Sequence, residues 1–237
     1  MRKIDNSGIL GMSILGVVVI VILNFVYPDI TILKKENPVK TSFMKYRERE
    51  WVKKGKKQKI KQIWVPYRRI SPYLIKAVLI AEDDKFWKHE GFDYETIEKA
   101  MIKNLKERKL LVGGSTITQQ LAKNLYLTPS KNPIRKIREA FLAIRLEYTL
   151  SKRRILELYL NIAEWGEGIF GIEAASRNYY GKPSSLLNAY EASRLASVLP
   201  NPRKYNPIGN SRYVENRSRI IYEIMVKRGI VKGEGQH

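Results

Sequence analysis

Between Asp5 and Asp29 the chain carries 23 consecutive residues without a charge, including GVVVIVIL at 16–23. No other feature narrows the possible architectures as much. A helix of about 20 residues spans a hydrocarbon core of roughly 30 Å, so the run predicts a membrane-spanning segment. A cleaved signal peptide would show a shorter apolar core and small residues at a cleavage site. Here the run leads into NFVYP instead, with Tyr27 near the interface. Residues 1–28 are therefore read as a cytoplasmic tip and an uncleaved transmembrane anchor. Arg2 and Lys3 precede the run, which leaves the N-terminus in the cytoplasm and everything after Tyr27 on the other side.

Beyond the anchor the chain is basic. It has 44 Lys and Arg against 23 Asp and Glu, a formal net charge of +21 over 237 residues. Such an excess suits nucleic acid, an anionic membrane surface or an acidic substrate. There is no zinc finger or other nucleic-acid signature, and the anchor favours the other two. The absence of Cys excludes disulfides, thiol nucleophiles and thiolate metal sites. Only two His occur, one of them the last residue, which argues against a tetrahedral zinc site. A metal here would be a hard ion held by carboxylates or by a phosphorylated ligand.

Residues 29–63 read as a basic juxtamembrane connector. KKGKKQKIK at 53–61 lies there between Trp51 and Trp64. It is either a solvated linker or a segment resting on anionic headgroups. SFMK at 42–45 fits the S-x-x-K of penicillin-binding enzymes. It stands in this connector without a K-T-G or S-x-N partner downstream, so no transpeptidase activity is expected.

Residues 64–237 form the remaining domain, and its patterns are helical. Ser71 with Pro72 opens a helix whose C-terminal end delivers Glu82. Asp93 caps a second, with Ile97, Met101 and Leu105 on one stripe. Thr116 and Gln119 form a capping box for a third. Asn132–Pro133 opens a long helix to about Leu150, and Ser151 opens another to about Ala163. Asn188 and Glu191 cap one that ends before Pro200, and a last one spans about Arg212 to Lys227. With no sustained strand alternation and no repeat, the domain is mainly α. In the long helix Ile134, Ile137, Phe141, Ile144 and Tyr148 form one stripe, while Leu142 and Leu146 lie opposite beside Glu139. Both faces are thus expected to be covered, with Glu139 partly buried. A buried carboxylate is paired or functional, and Arg135 one turn earlier is an available partner.

Two further stretches carry chemistry. AEDDKFWKHEGFD at 81–93 sets three acids beside aromatics in a chain otherwise rich in cations. This is either a solvated helix end or a cleft wall holding a carboxylate. GGSTITQQLAKN at 113–124 combines a glycine bend, hydroxyls and a capped helix start, with Lys123 one turn on. That arrangement can cradle an anion, although it lacks the P-loop spacing.

In order and spacing these pieces resemble the peptidoglycan glycosyltransferases of glycosyltransferase family 51. Glu82, Asp83, Phe86, His89 and Gly91 match E-D-x-x-F-x-x-H-x-G. Residues 113–120 match G-G-S-T-I-T-Q-Q without a change. Arg135, Lys136 and Glu139 match R-K-x-x-E, and Ile155, Leu156, Tyr159, Leu160 and Asn161 match I-L-x-x-Y-L-N. The resemblance covers about residues 64–208 and looks most like the monofunctional, membrane-anchored branch of Gram-negative bacteria.

The resemblance implies a lysozyme-like, two-lobed helical domain on a single transmembrane helix in the inner membrane, facing the periplasm. It implies polymerisation of lipid II into a nascent glycan strand, with inversion and β-1,4 bonds. Glu82 would be the general base. Glu139 would position substrate or act through pyrophosphate electrostatics, including any Mg2+ or Mn2+ met there. Asp83, Phe86, Ser115, Gln119, Gln120, Lys123, Lys131 and Arg135 would contact substrate, and so would Lys99, where many relatives carry Arg. His89 would buttress the first motif through a hydrogen bond. Partners would be lipid II, the glycan strand, the membrane and proteins of cell-wall synthesis or division, with no nucleic acid. The nearest rival is a muramidase or lytic transglycosylase, in which Glu82 would be a protonated acid.

Overall fold

The computed structural model describes Gly16 and residues 27–95, 97–98, 114–129 and 132–231. The apolar run expected to form the anchor lies almost wholly outside these residues, as do Lys99, Lys131, Met101 and Leu105. Among the described residues no helix is long and apolar enough to cross a membrane.

The described chain is mainly helical. Its α-helices are α1 (Ser42–Lys53), α2 (Pro72–Glu82), α3 (Ile117–Tyr126), α4 (Pro133–Thr149), α5 (Lys152–Ile162), α6 (Ile172–Tyr180), α7 (Ala189–Val198) and α8 (Arg212–Lys227). Very short strands, β1 (Lys61–Gln62), β2 (Glu164–Gly166) and β3 (Ile169–Phe170), form a sheet in the order β1-β3-β2. β1 is parallel to β3 and β2 antiparallel to it.

The helices start where the cap residues place them. Thr116 and Gln119 close a capping box on α3, and Asn188 with Glu191 closes one on α7. Asn132 accepts the Ile134 N–H ahead of Pro133 in α4, and Ser151 accepts the Arg154 N–H at the start of α5. Such caps satisfy amide donors that a helix leaves open at its first turn. Ser71 precedes α2 as expected but makes no cap bond. Its hydroxyl donates instead to the Leu187 carbonyl, tying α2 to the approach to α7. Of the helix expected after Asp93, residues 94–95 and 97–98 are described, with the Ile97 N–H bonded to the Asp93 carbonyl.

Two packing groups organise the core. α3 is buried nearly all round, including Thr118, Gln119 and Asn124, because α1, α4 and α5 pack against it. α2, α7 and α8 form the other group. Asn161 joins the N-terminal segment to this core. Its side chain accepts the Val65 N–H at 2.8 Å and donates to the Val65 carbonyl at 2.9 Å. A fully buried amide thus engages the chain as a neighbouring strand would. Next to it Gly171, at φ +80°, brings its backbone so close that a Cβ would stand 2.6 Å from the Asn161 carbonyl oxygen.

The segment read as a connector packs into the domain. Thr41 caps α1 by accepting the Met44 N–H, and Met44 and Trp51 are both buried. Between them Arg47 donates to Glu164 at 2.8 and 3.0 Å and to Glu50 at 2.8 Å. The high Lys and Arg content masked a helix with one narrow inward face. Helix α6 was also not anticipated; Glu173 in its first turn accepts the Ser184 amide and pairs with Arg177.

Helix α4 departs from its expected packing in an informative way. Glu139, Leu142, Ala143 and Leu146 are buried, whereas Ile134, Ile137, Ile144 and Tyr148 are exposed. α4 is therefore covered on one face, the side turned to α3, and not on both. Glu139 is buried because it shares that covered side with Leu142 and Leu146.

Candidate active site

The two packing groups meet at the end of α2, where Glu82 stands. Its side chain is only 10% exposed. One oxygen, Oε2, accepts the Gln120 amide from α3 at 2.9 Å. The Gln120 carbonyl in turn accepts the hydroxyl of Tyr159, buried on α5, at 3.1 Å. That second bond fixes which end of the Gln120 amide faces Glu82. The other carboxylate oxygen lies 3.4 Å from Nη2 of Arg217 on α8. Burial pushes the Glu82 carboxyl above its ordinary value, against the Gln120 hydrogen bond and the charges of Arg217 and Lys123. A carboxyl so placed holds a proton more readily than one in water, which suits proton transfer.

Lys123, one turn beyond Gln120, is half-buried. Burial draws its ammonium below its ordinary value, and Arg135 and Lys136 add to this, while Glu139 and Glu82 oppose it. Lys123 therefore lies in the field of both carboxylates. Glu139 is fully engaged by cations. Arg135 donates to one oxygen at 2.7 Å, and Lys136 pairs with the other. Lys136 also approaches the Ser115 hydroxyl at 3.4 Å. Three cations around one carboxylate leave a net positive region beside Glu82, as an anionic group requires.

Several residues expected at the substrate are placed otherwise. Asp83 is buried with both oxygens in use: Oδ2 accepts the Ile117 N–H at the start of α3 at 2.9 Å, and Oδ1 lies 2.8 Å from His89 Nε2. It braces the loop and the helix, and His89 makes the buttressing bond anticipated for it. Phe86 is fully buried, with Lys152 over its ring at 4.5 Å. The Gln119 carbonyl is taken up by the α3 cap. Thr116, whose hydroxyl donates to the Gly91 carbonyl, ties the first motif to the second. Gln120, expected to touch substrate, is bonded to Glu82. Glu82, Gln120, Lys123, Arg135 and Glu139 are brought together, with Ser115 at the edge through Lys136. Lys99 and Lys131 lie outside the described residues.

Sequence reasoning did not assign Lys136, Tyr159 or Arg217 to the site. The first two stood inside quoted motifs, and their positions were the available signal. Arg217 lies beyond all four motifs and carries none. A separate cavity of about 1050 Å³ between the 85–95 loop and α4 is lined by Lys85, His89, Tyr94, Glu147, Tyr148 and Lys152, among others. Neither Glu82 nor Lys123 lines it, so it is not the centre described above.

Among the described residues, no three His, Asp or Glu converge to hold a metal ion. Both Glu139 oxygens face cations. This donor set does not fit a protein-held Mg2+ or Mn2+.

A shielded carboxylate beside a cation cluster, on a mainly helical frame, is the kind of arrangement that suits proton transfer next to an anionic ligand. The model of the transglycosylase family matches residues 48–226, and the chain belongs to that family. It is 47% identical over 194 residues to the biosynthetic peptidoglycan transglycosylase of Nitrosospira multiformis, spanning 82% of this chain and 84% of that protein. To the proteins of the same description from Azoarcus sp. and Dechloromonas aromatica it is 46% and 49% identical, over 89% and 78% of this chain and 92% and 80% of theirs.

Proposed function

We propose that the chain, a peptidoglycan transglycosylase, polymerises glycan strands from lipid II with Glu82 as general base. The observation that carries this reading is the pairing of Glu82, held by a neutral amide, with Lys123, Arg135 and Lys136 close by. The 4-hydroxyl of an incoming lipid II attacks the anomeric carbon of the growing chain. Its proton passes to Glu82 as the new β-1,4 bond forms. The anomeric carbon–oxygen bond breaks, and its electron pair leaves with undecaprenyl pyrophosphate. That leaving group departs without a proton and needs positive charge, which the three cations supply. The displacement inverts the anomeric centre and leaves no covalent glycosyl-enzyme.

Glu139 gathers Arg135 and Lys136 and keeps their charge at one place. No step is assigned to a divalent ion, since one could enter only with the pyrophosphate as its ligand. Residues 1–28 anchor the enzyme in the inner membrane, with the catalytic domain on the periplasmic side, where lipid II and the nascent strand are met. No transpeptidase activity is expected, since SFMK at the start of α1 has no K-T-G or S-x-N partner downstream.

Lipid II polymerisation by the Glu82→Gln variant tests the assignment. Loss of a general base costs about 10²–10⁴ in rate, and lipid II binding should persist. A folded variant polymerising at the wild-type rate refutes it. Incubation with finished glycan strands, which should be left intact, separates this reading from glycan cleavage.

A further inference from the structure

Glu82 is approached from three elements outside its own helix. α3 supplies Gln120 and Lys123, α5 supplies Tyr159, and α8 supplies Arg217. Asp83 is the acidic neighbour on its own turn. The α3 and α5 residues fall within the motifs quoted above, whereas Arg217 lies far beyond them in sequence, on a helix that packs on α7 and α2.

The inward face of α8 is formed by Val214, Ser218, Ile221 and Met225. Arg217 borders this face and extends toward the end of α2. Its Nη2 donates to the Ala81 carbonyl at 3.0 Å and reaches Glu82 Oε1 at 3.4 Å. Its Nε is buried and makes no hydrogen bond among the described residues. A buried donor left without an acceptor is costly, so hydrogen bonding alone does not account for an arginine here. Just past α8, Arg228 grips Asp84 with two hydrogen bonds, at 2.5 and 2.8 Å. The turn that carries Glu82 is thus held at two points, by Arg217 ahead of Asp83 and by Arg228 behind it.

We infer that Arg217 is a positioning residue for the catalytic carboxylate. It fixes the rotamer of Glu82 from the side opposite Gln120 and sets a cation beside it. The inference rests on the reading of Glu82 as base and adds a residue to it. The charge of Arg217 opposes the effect of burial, so it keeps more of Glu82 ionised at a given pH. Lys123 acts in the same sense from α3. Removing Arg217 moves the carboxyl further up and leaves Gln120 to hold it from one side alone.

The test uses the full chain in detergent, with R217M and R217Q as neutral variants and R217K as the charge-keeping one. Polymerisation of lipid II is followed as kcat and KM across pH, beside thermal unfolding. In the neutral variants the acidic limb of kcat should move up by about one pH unit. Below both limbs the rate should then fall about tenfold. KM for lipid II should stay unchanged, because the pyrophosphate is held elsewhere. R217K should return the limb to its wild-type place. Using two neutral variants keeps the measurement available if one fails to fold. An acidic limb that stays in place in a folded neutral variant overturns the inference, as does a loss confined to KM or to melting temperature. Glu82→Gln, run alongside, separates the cases. If it is inactive while R217M keeps the wild-type limb, Arg217 alone was misassigned. If it is active, the base itself was.

Discussion

Asp83→Ala separates a brace from a substrate contact. Asp83 is 7% exposed, accepts the Ile117 N–H at 2.9 Å and meets His89 Nε2 at 2.8 Å. Alanine leaves both partners inside the protein without an acceptor. Each buried donor so stripped costs about 1–3 kcal/mol. His89 cannot recover through its other nitrogen, since Nδ1 is already buried without a partner among the described residues. Water entering the vacated space reduces the sum, so a loss of about 3 kcal/mol is the expectation. For a domain of this size that lowers the melting temperature by roughly 6–12 °C. The assay is thermal unfolding of the full chain in detergent by circular dichroism, then kcat and KM well below the transition. KM for lipid II should match wild type. His89→Ala should cost less in the Asp83→Ala background than alone, because the two share one bond. A variant that melts with the wild type would refute the reasoning. One that keeps its stability but loses lipid II affinity would return Asp83 to the substrate.

Lys123→Ala should slow lipid II turnover by about 2–4 kcal/mol in activation free energy if its charge meets the leaving pyrophosphate; near wild-type turnover would remove it from the site. Tyr159→Phe frees the Gln120 amide to rotate, so kcat should fall while KM holds; steady-state kinetics with an unchanged kcat would show that the hydroxyl does not orient Gln120. Arg47→Met strips the buried Glu164 of its ion-pair partner, leaving the Gly168 amide and the charge of Arg203, and should cost up to about 3–5 kcal/mol at neutral pH. Burial already holds the Glu164 carboxyl above its ordinary value, and loss of Arg47 raises it further. The penalty belongs to the ionised form, so it should shrink as pH falls through that raised value. Denaturant unfolding at neutral and acidic pH measures this, and a penalty independent of pH would contradict it. Deleting residues 1–28 should release a domain that keeps activity in detergent, measured by lipid II polymerisation; a truncated protein that cannot fold would argue against it.

How much was legible depended on whether a position's role was local. Caps such as Thr116, Asn132, Ser151 and Asn188 act on amides two or three residues away, so sequence spacing located the helices they open. Glu82 was legible because its neighbours recur in a spaced motif. Packing was less so. The exposed stripe of α4 looked like an inward face, since apolar residues carried it. The true inward face includes Glu139, whose burial depends on Arg135 and Lys136 as partners. α1 was hidden in the same way, because its inward face spans only Met44 and Trp51, with Arg47 between them reaching Glu164. That pairing crosses 117 residues, and no local pattern reports it. Arg217 reaches Glu82 across 135 residues and was invisible for the same reason.

The clamp of Asn161 on Val65 also bears on the order in which the chain can become compact. Its partners are 96 residues apart, and Arg47 and Glu164 are 117 apart. During synthesis the segment bearing Met44, Trp51 and Val65 emerges first. It has only α3 to pack against until α5 and β3 have been made. Loop closure over such separations is slow and precedes any gain from the contacts made. Until then Met44 and Trp51 lack part of their cover, and a chain stopped short of about residue 170 would leave the segment more open to aggregation or proteolysis. The late arrival of α5 and β3 thus makes completion of the domain the event that shelters its own beginning.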